Sequence, residues 1–547
     1  MPANIRQPKA LLNCIHALRN EFSAAAQNKL PGCLQETAKI NFISPAHWKQ
    51  YYQDLQFLLA YPASANIYRL AKKEAGRVAG FLQRNPKTAQ ALSHSGLPGT
   101  LVTGCFSHRL NSILLKEDPS QITLHSFAGN KILAMQWLGN SLSELEKEML
   151  SEEEFSWKDW IQRFGGNTAR EQLAFFLSQT EISGHSITTR EACFAVFEIF
   201  TTIRLPDQFS RFCSTTGKRI TPFFHSAGLE KKGADHLFTF DDSCFKQIPV
   251  SAADQRRLVR YAQNAISPFF KETDPFTYAQ PRETAYYDAG RGIGIALFYM
   301  LPEKKLALET YCGYLLLKNN VPLAYGGGWM LGAQCRFGLN ILPGFRGGES
   351  VLIAQQLMRL YIKEFRVKQI IVEPFQIGKN NPEGIRSGAF WFYYKMGFRP
   401  LQPPLNSLAA KEFEKMGRRK SYRSNATVLK QLSASYLCLQ AGEKAPVQHY
   451  DIIRISNRVS SLISEKFENS RVLAQKMMRK KYPVYSKKIP YSLLLLNENA
   501  AGGKKLSQTV LSSLALTFSL KQKNEKEYAL HLQHESELLQ LLLSAAE

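Results

Sequence analysis

The chain has 547 residues, enough for about three or four domains at roughly 100–200 residues each. With 44% apolar and 21% charged residues it has the make-up of a folded globular protein, which excludes a disordered or collagen-like chain. A formal net charge of +24 suits polyanionic partners such as nucleic acid, an acidic membrane surface or a phosphorylated cofactor, without choosing among them.

No run of 18 uncharged apolar residues occurs, so no transmembrane segment is expected. The first 30 residues carry Arg6, Lys9, Arg19, Glu21 and Lys29, which leaves no room for the apolar core of a secretory signal. The nine cysteines are odd in number, widely spaced and without a C-x-x-C pair. That pattern argues against a disulfide scaffold and a structural zinc site, so no metal centre is expected and a reducing cytoplasm is the simplest compartment.

Residues 1–275 read as a mainly helical region. Tyr51, Leu55, Leu58 and Leu59 recur at helical spacing, as do Ile67, Leu70, Ala71 and Val78. Breakers at Tyr61-Pro62, Gly96 to Gly99 and Gly165-Gly166 separate the helices. The paired carboxylates Asp241 and Asp242 lack the periodic oxygen ligands of a calcium loop and read as a turn or cap.

From about residue 283 the period changes to strands. Gly292 to Met300 suits a buried strand, and Leu306 to Leu317 is a second. Lys318-Asn319-Asn320 predicts a tight turn into a third strand, Val321 to Tyr325, which the run Gly326-Gly327-Gly328 is expected to end or bulge. Cys335 to Leu342 is a fourth strand. The loop Pro343 to Gly348 leads into an amphipathic helix from Glu349 to about Phe365, followed by a fifth strand, Lys368 to Val372. Residues 384–396 form a short aromatic helix that Gly397-Phe398-Arg399-Pro400 terminates. Residues 406–547 are basic and mainly helical; from 401 onward, 23 Lys and Arg face 12 Asp and Glu. The fold class is therefore α+β, a mixed-sheet domain at 283–405 between a large helical N-terminal region and a helical C-terminal one.

Three stretches carry a family resemblance: Phe337 to Ser350 (F-G-L-N-I-L-P-G-F-R-G-G-E-S), Gln369 to Glu373 (Q-I-I-V-E) and Ala389 to Phe398 (A-F-W-F-Y-Y-K-M-G-F). In this order the 283–405 segment resembles the GNAT superfamily of N-acetyltransferases. The resemblance implies transfer of an acyl group from acetyl-CoA or a longer acyl-CoA to an amine. It assigns backbone bonds to the pantetheine arm to Leu339, Asn340 and Ile341, the pyrophosphate cradle to Arg346, Gly347 and Gly348, and protonation of the departing thiolate to Tyr393. The phosphate loop departs from the family's R/Q-x-x-G-x-G/A: from Arg346 the chain reads R-G-G-E-S-V, and Arg386 stands where an asparagine is common. A Glu349 carboxylate at the helix start would satisfy the dipole and repel a diphosphate, so either a shorter loop still binds or the coenzyme site has decayed.

Glu373, near the end of the fifth strand, is the candidate acceptor for the amine proton; pairing with a nearby Lys or Arg is the competing reading, and Glu309 is a weaker candidate. Lys379, Asn380 and Asn381 either touch a ligand or serve turn chemistry alone. Basic clusters around Arg418-Arg419 and Arg479-Lys480-Lys481, interleaved with Tyr422, Tyr482 and Tyr485, keep nucleic-acid binding open as an alternative. A non-catalytic scaffold that keeps the fold without the coenzyme is the other.

Overall fold

Short β-branched runs inside the expected helical region pair with one another. Strands β1 (Leu101–Cys105), β2 (Ile122–Phe127) and β3 (Ile199–Arg204) form an antiparallel sheet in the order β1-β3-β2. The computed structural model describes residues 8–546 apart from 41, 43, 151–156, 182–185, 206–220, 232–244, 270–271 and 441–448; Asp241, Asp242, Cys213 and Cys244 thus lie outside the described residues. The described part of 1–275 is mainly helical around these three strands, whose inward residues Val102, Ile122, Ile199 and Ile203 meet Phe176 and Phe197 in a core of their own.

The larger sheet runs beyond both ends of the 283–405 segment. Its strands are β4 (Lys246–Ile248), β5 (Ala285–Asp288), β6 (Ile293–Tyr299), β7 (Thr310–Lys318), β8 (Val321–Leu331), β9 (Gln334–Ile341), β10 (Gln369–Val372), β11 (Arg399–Pro400) and β12 (Leu437–Gln440). Their order is β11-β12-β10-β9-β8-β7-β6-β5-β4. Every pairing is antiparallel except β9 with β10.

The expected turn closes β7 onto β8, with Asn319 and Asn320 at φ 48° and 64°, the left-handed pair that a two-residue hairpin requires. The glycine run does not end β8. The strand passes through it because each missing Cβ permits a close approach, of the Gly338 carbonyl at Gly326, the Tyr311 ring at Gly327 and the Tyr361 ring at Gly328, where a Cβ would stand 2.5 Å from that ring and 2.8 Å from the Cys335 sulfur. The expected aromatic helix is two helices, Pro382–Ser387 and Ala389–Lys395, broken at Gly388 with φ 66°.

Helix Ser350–Phe365 has no internal glycine or proline and is buried on most of its circumference. Tyr361 meets Phe337 edge-on at 5.4 Å on one face of the sheet. The N-terminal helices share this core, with Trp48, Tyr51, Tyr52 and Tyr61 joining Tyr314, Ile353 and Leu357. The opposite face is covered by helix Ala252–Ile266, through Leu258 and Ala262 against Phe298 and Leu315. The C-terminal helices, from Ile452–Phe467 to Ser536–Ala546, close on a separate core around Leu462, Tyr482, Leu494 and Phe518. Among the described residues no helix is long and apolar enough to cross a membrane.

The close contact at Gly328 sets a test of the packing. Gly328→Ala forces Tyr361 or Cys335 to move within a filled core and should cost about 1–3 kcal/mol. It should appear as a lower urea midpoint for loss of the sheet domain.

Candidate functional site

The single parallel pairing is short. β9 and β10 are in register only at Gln334–Gln369, Cys335–Ile370 and Arg336–Ile371. Beyond these pairs β9 continues to Ile341, whereas β10 ends at Val372 and the chain turns into helix Pro374–Ile377. The strands therefore part, and a cleft of about 340 Å³ opens between them. Leu339, Asn340, Ile341, Arg346, Ser350 and Tyr393 are in its wall, together with Gln376.

The strand's period of two decides which backbone groups face this gap. The Leu339 amide does, since it donates to Gln376 Oε1 at 3.4 Å. The Ile341 amide therefore points the same way, while the Leu342 amide turns toward β8 and bonds Leu323 O at 2.9 Å. Tyr393, buried on helix Ala389–Lys395, donates its hydroxyl to Gln376 Oε1 at 3.2 Å. Burial pushes its phenol above the usual range, so it holds its proton at neutral pH.

The start of helix Ser350–Phe365 closes the cleft at its other end. The first helical bond runs from the Ile353 amide to Glu349 O at 2.9 Å. The amides of Ser350, Val351 and Leu352 precede it and have no carbonyl of their own helix to bond. The expectation that Glu349 would occupy them is corrected. Its side chain makes no cap bond and turns into the protein, where it is fully buried. There it meets Lys318 Nζ at 2.9 Å, Arg291 Nη2 at 2.5 Å and the Glu230 amide at 2.9 Å, with His225 Nδ1 at 3.5 Å. These cations attract the carboxylate more strongly than the helix end, a partial charge of about half a unit.

The charges in this cluster shift one another. Burial alone would push Glu349 up, but the Lys318 ammonium and the Glu230 amide hold it below the usual carboxylate range. Burial pulls Lys318 down to about 8 against the opposing pull of Glu349. His225 falls to about 4, first through burial and then through Lys318.

Gly347 and Gly348 stand in the loop behind the cleft rather than in its wall. Gly347 is exposed at φ 87°, and Gly348 is buried beneath Tyr61, whose ring lies 2.9 Å from where a Cβ would be. Arg346 reaches across the mouth to Glu383 at 2.8 Å.

Glu373 is not in the cleft wall, and Arg336 holds it. The guanidinium bonds Glu373 through Nη1 and Glu309 through Nε and Nη2. Asn381 is in the cleft wall and caps the following helix through Gly384 N at 3.2 Å, whereas Lys379, Asn380 and Arg386 are exposed outside it.

In the basic C-terminal region the tyrosines are engaged. Tyr482 is buried with its hydroxyl on Glu498 at 2.9 Å, and Tyr422 donates to Glu412 at 2.8 Å. Lys481 also pairs with Glu498, and Arg418 with Glu414. The buried Tyr482 ring offers no free face for base stacking, whereas the Tyr422 ring is half-buried.

Sequence reasoning missed Gln376 and Ser350 as wall residues, and Lys318, Arg291 and His225 as partners of Glu349. Gln376 stands three residues before Lys379, in a stretch whose candidate ligand contacts were Lys379, Asn380 and Asn381. His225 gave no signal, since a histidine over 100 residues from its carboxylate shows no spacing. No protein-family profile, characterised protein or solved structure matches the chain.

Two measurements check the buried cluster. Glu349→Ala leaves Lys318 and Arg291 without their carboxylate and should cost about 3–5 kcal/mol in urea unfolding. His225 stays neutral in the folded chain down to about pH 4, whereas an unfolded histidine takes its proton near 6.5. Between these values the unfolded state binds more protons, so stability falls as pH falls. His225→Asn should flatten this part of a plot of urea midpoint against pH.

Proposed function

We propose that the chain is a GNAT-like acyltransferase, moving an acyl group from acetyl-CoA or a longer acyl-CoA to an amine. The observation that carries this reading is the gap between β9 and β10, with the protonated phenol of Tyr393 in its wall and an uncapped helix start at its mouth. The coenzyme is a co-substrate. Its extended arm would lie along the open edge of β9 at Leu339 and Ile341, and its diphosphate would meet the amides of Ser350 to Leu352. Arg346 would exchange the exposed Glu383 for a phosphate, a small loss because such pairs contribute only about 0–1 kcal/mol. Gly347 and Gly348 shape the loop that carries Arg346 over Tyr61.

In the transfer the amine nitrogen attacks the thioester carbonyl, the C–N bond forms and the C–S bond breaks. The departing sulfur takes the Tyr393 proton, and the phenolate is reprotonated from solvent. The proton released by the amine goes to water, since Glu373 is paired with Arg336 and is not in the cleft wall. The products are an amide and the free thiol.

Calorimetry with acetyl-CoA tests the binding step. Saturable heat is expected; its absence at millimolar ligand leaves a non-catalytic scaffold as the reading. Once binding is established, Tyr393→Phe should lower turnover by about a hundredfold or more while leaving coenzyme affinity nearly intact. Unchanged turnover removes Tyr393 from the acid role.

A further inference from the structure

The gap between β9 and β10 already holds an amide, and the chain itself supplies it. The Gln376 carboxamide lies along the free edge of β9. Its Nε2 donates to Phe337 O at 2.9 Å, and its Oε1 accepts from Leu339 N at 3.4 Å and from Tyr393 Oη at 3.2 Å. The Phe337 carbonyl and the Leu339 amide are the two groups with which the next strand of a sheet, or any extended chain of secondary amides, would pair. Gly338 lies between them, and a Cβ there would come within 3.3 Å of Nε2. Gln376 projects from the four-residue helix Pro374–Ile377 and is only half-buried, so a rotamer change can take it out of the gap.

We infer that Phe337 O and Leu339 N form a seat for a secondary amide of the incoming ligand, and that Gln376 is an internal stand-in which the ligand displaces. The inference rests on the acyl-donor reading above and adds a consequence for the acid. While Gln376 occupies the seat, the Tyr393 hydroxyl is committed to it. Once a ligand amide takes the seat, that hydroxyl loses its acceptor and is available to a sulfur in the gap. Gln376 is thus a positioning residue, coupling donor entry to release of the proton donor.

The test compares the full-length chain with Gln376→Ala, which removes the competing amide, and with Gln376→Asn, which keeps an amide too short to span the seat. Calorimetry with coenzyme A should show both variants binding about tenfold more tightly than the parent, the effect of one or two net hydrogen bonds no longer having to be displaced. KM for acetyl-CoA should fall by the same factor. If both variants bind coenzyme A equally or more weakly than a parent that itself binds, the stand-in is overturned and the donor reading survives. A fall in kcat with KM unchanged also overturns it. If neither the parent nor either variant binds, both readings fall together. Binding by the variants alone supports the stand-in and overturns the donor reading for the parent chain.

Discussion

The candidate site depends on where one carboxylate goes. Glu349 stands at the first turn of helix Ser350–Phe365, where an acidic side chain ordinarily folds back on the free amides. Here Lys318, at the end of β7, and Arg291, from the turn before β6, draw it the other way, into a site where the carboxylate and Lys318 are fully buried and Arg291 is half-buried. Desolvating these charges is expensive, and their mutual attraction plus the Glu230 amide offsets that cost only while the set is complete. The helix start is left bare because its own acid is bound elsewhere.

That arrangement ties the loop to the N-terminal region. Asn319, in the turn after Lys318, donates to Ala60 O and Phe223 O at 3.0 Å each and accepts from Phe223 N at 2.9 Å. Tyr61, the next residue after Ala60, carries Gly348 on its ring. The same few residues thus fix the end of helix Pro45–Ala60, the segment bearing His225 and the loop bearing Arg346. The asparagines that permit the hairpin also supply the side-chain amide that fastens it, so local turn chemistry and long-range assembly use the same residue.

The central strands, the Asn319-Asn320 turn and the long helix were legible because each has a strong local signal: continuous apolar runs, a left-handed dipeptide, a clean stripe. Strands β1 to β3 were not, although Ile199-Phe-Thr-Thr-Ile-Arg alternates inward and outward as a half-buried strand should. At five or six residues each, between longer helical patterns, they offer too few periods to outweigh their surroundings. Strand β12 reads no more clearly, because its place between β10 and β11 is decided by pairing partners far along the chain. The glycines of β8 misled for the opposite reason: their local preference is to break a strand, and the close approach of the Gly338 carbonyl and of the Tyr311 and Tyr361 rings explains why they continue one.

The site divides along the same line. Leu339, Asn340, Ile341, Arg346 and Tyr393 were found because they belong to contiguous stretches whose order carries the resemblance. Glu373 was read at the end of its strand with two roles open, and the ion pair is the one present, but its partner was not legible: Arg336 comes from β9 and also binds Glu309 from the segment before β7. Spacing reports which residues share an element; it cannot report which charge a guanidinium from another strand will claim. The helix start posed that problem in its sharpest form. Its sequence placed an acid beside the free amides of a helix start, and only two cations that are distant in the chain and adjacent in space explain why it leaves them.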